Sequence, residues 1–159
     1  MKVKEMRKMR AIVLAIMIFG GAFFIGDCYG QSSLIVYNDN AIGLRSSQDR
    51  FFGSELKVFT NFPQSKLELD GMINFKKYTY HQFSAGLGLN VNANPDDFFN
   101  AVVMPLNLTL IPFQDSKSGF IRRFSFVFEL CPEFYPDFNI WGNQWNIRSM
   151  YGVRFKFNE

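Results

Sequence analysis

Cysteine and histidine are nearly missing from this chain, which has two cysteines, Cys28 and Cys131, and one histidine, His81, in 159 residues. That scarcity argues against a structural zinc site, which takes four such ligands, and against a disulfide framework. Long apolar runs are also scarce. Only Ala11 to Gly26 is free of charge and mostly apolar, and its sixteen residues fall short of the ~20 that span a bilayer as a helix. Past that run no helical period is sustained, and no repeat of solenoid length or low-complexity tract appears. The G-L-G-L-N stretch at Gly86 to Asn90 is a poor phosphate loop, because it lies inside a strand pattern with no helix after it.

The first thirty residues read as an export signal. Lys2, Lys4, Arg7, Lys8 and Arg10 face one acid, Glu5, then come the apolar run and small residues near a cleavage point, placed after Gly30 so that Gln31 begins the mature chain. A retained anchor and a lipidated Cys28 are the alternatives; the residue before Cys28 is Asp27, where a lipidation signal wants a small residue. Removing residues 1–30 takes the balance from 17 basic and 14 acidic residues to 12 of each. The net positive charge thus belongs to the signal and gives no reason to expect nucleic acid. The mature chain keeps Cys131 alone and cannot form an internal disulfide, so its stability has to come from the fold.

Period two fills the rest of the chain. Gly53 to Phe62 sets Leu56, Val58, Thr60 and Phe62 against Glu55, Lys57, Phe59 and Asn61. Lys66 to Lys76 sets Leu67, Leu69, Ile73 and Phe75 against Glu68, Asp70, Met72 and Asn74. Phe83 to Val91, Val102 to Leu110, Arg123 to Cys131 and Asn146 to Phe157 alternate in the same way, and with Ala41 to Arg45 they make seven strands. The links between them are rich in Asn, Asp, Ser, Gly and Pro. This pattern predicts an all-β fold, an antiparallel up-and-down barrel of about eight strands in one domain over residues 31–159, with closure removing the exposed edges. The eighth strand is either Leu34 to Tyr37 or part of Phe134 to Trp141. Pro105 lies inside a strand, where it removes a ladder donor and calls for a bulge or a nearby water.

Bulk distinguishes the two faces. The polar faces carry the small residues Gly43, Ser84, Gly86, Gly88, Ser125 and Gly152, whereas the apolar faces carry the phenylalanines. An eight-stranded barrel has an interior only just wide enough for side chains, so the bulky faces belong outside. Phe75, Phe124, Phe126, Phe128, Tyr151, Phe155 and Phe157 are then expected to face lipid. The lumen is expected to receive Arg45, Lys57, Lys76, Arg123, Arg148, Arg154 and Lys156 with Glu55, Glu68, Asp70 and Glu129, as a plug of ion pairs. Tyr78, Tyr80, Trp141 and Trp145 fall near strand ends, where aromatic girdles form.

Little in the chain points to catalysis. His81, Ser84 and Glu68 are the members available for a hydrolytic trio, but His81 and Ser84 differ by an odd number and point to opposite faces of a regular strand. Asp96-Asp97 suits a solvated turn better than a cation, and the Asn107-Leu108-Thr109 sequon sits mid-strand. No catalytic residue, cofactor or metal is expected.

With A-I-G-L-R near its start, period-two strands throughout and Y-G-V-R-F-K-F near its end, the stretch Ala41 to Phe157 resembles the small outer-membrane β-barrel proteins of Gram-negative envelopes, the OmpA/OmpX-like barrels. The resemblance implies export, location in the outer membrane, contact with outer-membrane lipid, and insertion by the barrel-assembly machinery, which reads an aromatic at or near the C-terminus. Here the aromatic, Phe157, is third from last. A non-enzymatic envelope or surface-interaction protein follows from it. The alternatives are a soluble periplasmic barrel that binds an apolar ligand inside, and a barrel enzyme that modifies lipid. A further expectation concerns the seam, where Ile42-Gly43-Leu44-Arg45 and Tyr151-Gly152-Val153-Arg154 share an order that neighbouring strands could share.

Overall fold

The computed structural model describes residues 32–46, 49–60, 65–75, 77–92, 99–135 and 144–157. The expected signal over residues 1–30, its cleavage point, Cys28, Lys76, Asp96-Asp97 and Trp141 lie outside them. The strands are β1 (Ser33–Tyr37), β2 (Ala41–Arg45), β3 (Phe52–Phe59), β4 (Lys66–Asn74), β5 (His81–Asn92), β6 (Phe99–Val103), β7 (Leu106–Leu110), β8 (Phe124–Tyr135) and β9 (Gln144–Lys156). Each pairs antiparallel with its neighbours, and β1 pairs with both β2 and β9, which closes the sheet into a barrel. The eighth strand is therefore the segment at Leu34 to Tyr37. Phe134 instead extends β8 to Tyr135.

β6 and β7 are two pieces of one barrel strand. Leu89↔Val102 and Ala85↔Leu106 keep one register against β5, and Val103↔Glu133 and Leu106↔Leu130 keep one register against β8. The interruption has a chemical cause on both sides. Gly86 donates to the Pro105 carbonyl at 2.8 Å and Met104 to the Pro132 carbonyl at 2.9 Å, but neither proline can return the bond. Counted by position around the wall, the barrel thus has eight strands. The wall passes Pro105 without a bulge; the register shift lies at Asn90/Val91 instead. There Val91, expected on the outer apolar face, is buried although its unbroken pairing with the outward Leu67 of β4 keeps it on that side.

Alternation otherwise holds along the strands, with polar residues enclosed and apolar ones outward. Glu55, Lys57, Glu68, Asp70, Ser84, Asn107, Thr109, Ser125 and Glu129 are buried. Val36, Leu44, Ile73, Leu87, Leu106, Phe128 and Val153, drawn from seven different strands, are exposed. The apolar surface thus encircles the wall. Inward glycines make room for side chains that lean across from neighbouring strands. A Cβ on Gly88 would overlap Asp70 Oδ1 and lie 2.7 Å from the Leu69 carbonyl oxygen.

The expected seam differs in one respect. β2 and β9 are not neighbours, since β1 runs between them. The shared Gly and Arg order reflects their equivalent places on either side of β1. The Tyr37 ring fills the space a side chain would take at both glycines, lying 3.2 Å from a Cβ built on Gly43 and 3.1 Å from one on Gly152. Its hydroxyl donates to Glu55 at 2.7 Å.

Candidate functional site: the charged interior

β3, β4, β8 and β9 deliver charges to one cluster inside the barrel. Lys57 Nζ lies 2.8 Å from Glu68, Asp70 and Glu129, and all four side chains are fully enclosed. An ammonium has three donors, so this one is saturated. Arg148 joins from β9, with Nη2 at 2.8 Å from Glu68 and 3.4 Å from Glu129, and Nη1 at 2.8 Å from Glu133. Its guanidinium also stacks on Phe59, 4.7 Å from the ring centroid. In the order of strands around the wall β4 stands opposite β9, and β3 opposite β8. The Glu68–Arg148 and Lys57–Glu129 pairs are therefore two bridges across the lumen. Asn90 donates to Glu68 at 3.0 Å, and Tyr135 and Asn146 donate to Glu133.

A second group lies toward the end of the barrel where β1 begins and β9 stops. Arg45 Nη2 donates to Ser84 Oγ at 2.6 Å and Asn74 Oδ1 at 3.0 Å, and Nη1 lies 3.5 Å from Glu55. Arg154 is fully buried, with Nε donating to Ser125 Oγ at 2.7 Å, while Nη1 and Nη2 have no partner. Arg123 and Lys156 are half-buried at the same end.

The expected lumen residues Arg45, Glu55, Lys57, Glu68, Asp70, Glu129, Arg148 and Arg154 thus lie in the interior, while Arg123 and Lys156 are half-buried at one end of the barrel. The expected excess of seven cations over four anions does not describe the enclosed set. Among the described residues, four inward cations, Arg45, Lys57, Arg148 and Arg154, share the interior with five carboxylates, Glu133 being the addition. Glu133 lies two residues past the Arg123 to Cys131 pattern and continues its alternation, since β8 runs on to Tyr135. Of the outward set, Phe75, Phe126, Phe128, Tyr151 and Phe157 are exposed, and Phe124 and Phe155 are half-covered because they pack on each other and on Phe120. Tyr78, Tyr80 and Trp145 are exposed at strand ends.

The hydrolytic trio is not assembled. His81 stacks on Tyr78 with ring centroids 4.8 Å apart, Ser84 bonds Arg45 inside, and Glu68 is held by Lys57 and Arg148. Glu68, Glu129 and Cys131 are close enough for a metal, but Lys57 and Arg148 stand where a cation would. Phe126 and Phe128 point away from the interior, which is the reverse of what a carrier of apolar ligands requires. No protein-family model matches the chain, and neither a curated protein nor a solved structure matches it. Fold and interior together define a closed antiparallel β-barrel, apolar outside and ion-paired within.

Proposed function

We propose that this chain is a small, non-enzymatic outer-membrane β-barrel of the OmpA/OmpX-like kind, an envelope or surface-interaction protein whose lumen is plugged by ion pairs. The observation that carries this reading is the inversion of the usual burial pattern. Charged side chains fill the interior while Leu87 is 61% and Phe128 47% exposed on a wall apolar all the way round. Monomeric soluble proteins rarely expose contiguous apolar surface beyond a few hundred Å², whereas a barrel in lipid requires a belt of it. Closure suits the same setting, because every ladder group near hydrocarbon must find its partner within the protein. The exposed Tyr78 and Tyr80 at one end and Trp145 at the other suit interfacial girdles.

Cell fractionation with a heat-modifiability gel tests the proposal. The chain should partition with outer membranes and migrate as a compact species in detergent until heated. Recovery of the native chain in the soluble periplasm without detergent would sink it.

A further inference from the structure

Arg154 stands apart in the interior. Lys57, Arg148 and Arg45 each meet carboxylates, yet Arg154 is fully enclosed with a single bond, from Nε to Ser125, and four N–H groups on Nη1 and Nη2 without a partner. An enclosed guanidinium left in that state is strongly disfavoured, so a site of this kind is complete only with an anion or water in it. Its surroundings favour an anion. Arg45 and Lys156 lie within electrostatic reach of Arg154, and both carry like charge. Arg123, which precedes β8 at the same end, is half-buried with its Nε unpartnered. Among the described residues the one enclosed carboxylate here is Glu55, whose Oε1 takes the Tyr37 hydroxyl and whose Oε2 faces Arg45 at 3.5 Å without a hydrogen bond. Asp49, at the rim, pairs with Lys77 at 3.2 Å. Arg45, Arg154 and Lys156 thus gather at this end of the barrel, with Asp49 and Glu55 the carboxylates within electrostatic reach of Arg154. A hollow of about 290 Å³, lined by Asp49, Arg50, Asn74, Lys77 and Gln82 among others, opens at this end of the barrel.

We infer that this end of the lumen is a phosphate-binding site, with Arg154 as its innermost ligand and Arg123 and Lys156 as the cations at its entrance. A phosphate group offers several acceptor oxygens and the charge needed to offset neighbouring guanidiniums. The inference concerns the interior and holds whether the outer wall meets lipid or water.

The test uses the full folded chain in phosphate-free maltoside micelles. Inorganic phosphate is titrated at constant ionic strength held with sodium chloride, and the thermal unfolding midpoint is read. A saturable rise is expected in the wild type and none in Arg154→Met. In phosphate-free buffer Arg154→Met should unfold no earlier than the wild type, since it removes an uncompensated buried charge. Arg123→Gln, a milder change, should raise the half-saturating phosphate concentration roughly tenfold, the loss of one charge-assisted hydrogen bond. Vesicles of phosphatidylglycerol and of a phosphate-free glycolipid identify the source. If lipid headgroups fill the site, added phosphate will raise the midpoint only in the glycolipid. A response in neither micelles nor glycolipid, or one retained in Arg154→Met, overturns the inference. Fractionation, by contrast, bears only on the membrane reading.

Discussion

Replacing Lys57 by methionine removes the ammonium and keeps most of the volume of its stem. What remains is uneven. Glu68 and Glu129 still have Arg148, at 2.8 and 3.4 Å, but Asp70 loses its one cation and its Oδ1 already lacks a partner. Three enclosed carboxylates are then left facing one another with one guanidinium among them. Breaking a buried ion pair from one side costs about 3–5 kcal/mol, and this ammonium serves three carboxylates, so the upper part of that range is expected. With a urea slope of ~2 kcal/mol per molar, the midpoint should fall by about 2 M. Urea unfolding of the micelle-folded chain, followed by tryptophan fluorescence, reads this directly. Adding Asp70→Asn to Lys57→Met should restore part of the loss, with a coupling of ~0.5–3 kcal/mol between the two sites. A Lys57→Met chain that unfolds at the wild-type midpoint with an unchanged slope would refute the reasoning that the enclosed ammonium offsets the three carboxylates around it.

Three other changes probe separate parts of the structure. Gly88→Ala should destabilise by roughly 1–3 kcal/mol because its Cβ overlaps Asp70, whereas Gly71→Ala, where the nearest atom is 3.8 Å away, should be neutral or stabilising by up to about 1 kcal/mol in the same urea assay. Leu87→Arg, outward near the middle of β5, should cost about 2–4 kcal/mol in vesicles if that face meets hydrocarbon, and under about 0.5 kcal/mol if it meets water. Planar-bilayer recordings should find no steady open channel in the wild type, because Glu68–Arg148 and Lys57–Glu129 cross the lumen; a stable conductance would contradict that arrangement.

The barrel was legible because alternation is a local signal. A residue's parity decides its side of the wall, and Glu55, Lys57, Glu68 and Asp70 could be grouped before any strand was paired. The inward glycines were legible by size alone. What stayed hidden depends on partners distant in sequence. Pro105 looked like a solitary fault, and only the pairing of Met104 with Pro132 shows a second proline opposite it that extends the gap. Tyr37 sits in a strand too short for its pattern to stand out, and its role emerges only when Gly43 and Gly152 are brought to either side of it. Val91, which parity places outside, keeps its outward register opposite Leu67 and is buried all the same, a covering that no alternation encodes. Arg154 was placed among the lumen charges, but its lack of partners is a property of three-dimensional neighbours that no spacing encodes.

The pairing of β1 with β9 bears on the order in which the barrel forms. Ser33 meets Lys156 and Tyr37 meets Gly152, so these contacts join residues from nearly the two ends of the described chain. Hairpins such as β3–β4 and β8–β9, whose strands are close in sequence, can zip early, but the first strand has to await the last before the cylinder shuts, and the loop entropy of that step is the largest in the fold. Until then β1 and β9 present unpaired edges, and Lys57 and Arg148 lack at least some of the carboxylates they meet across the closed lumen. Closure should therefore be slow and late, with the interior charges and the final hydrogen-bonded seam becoming protected together.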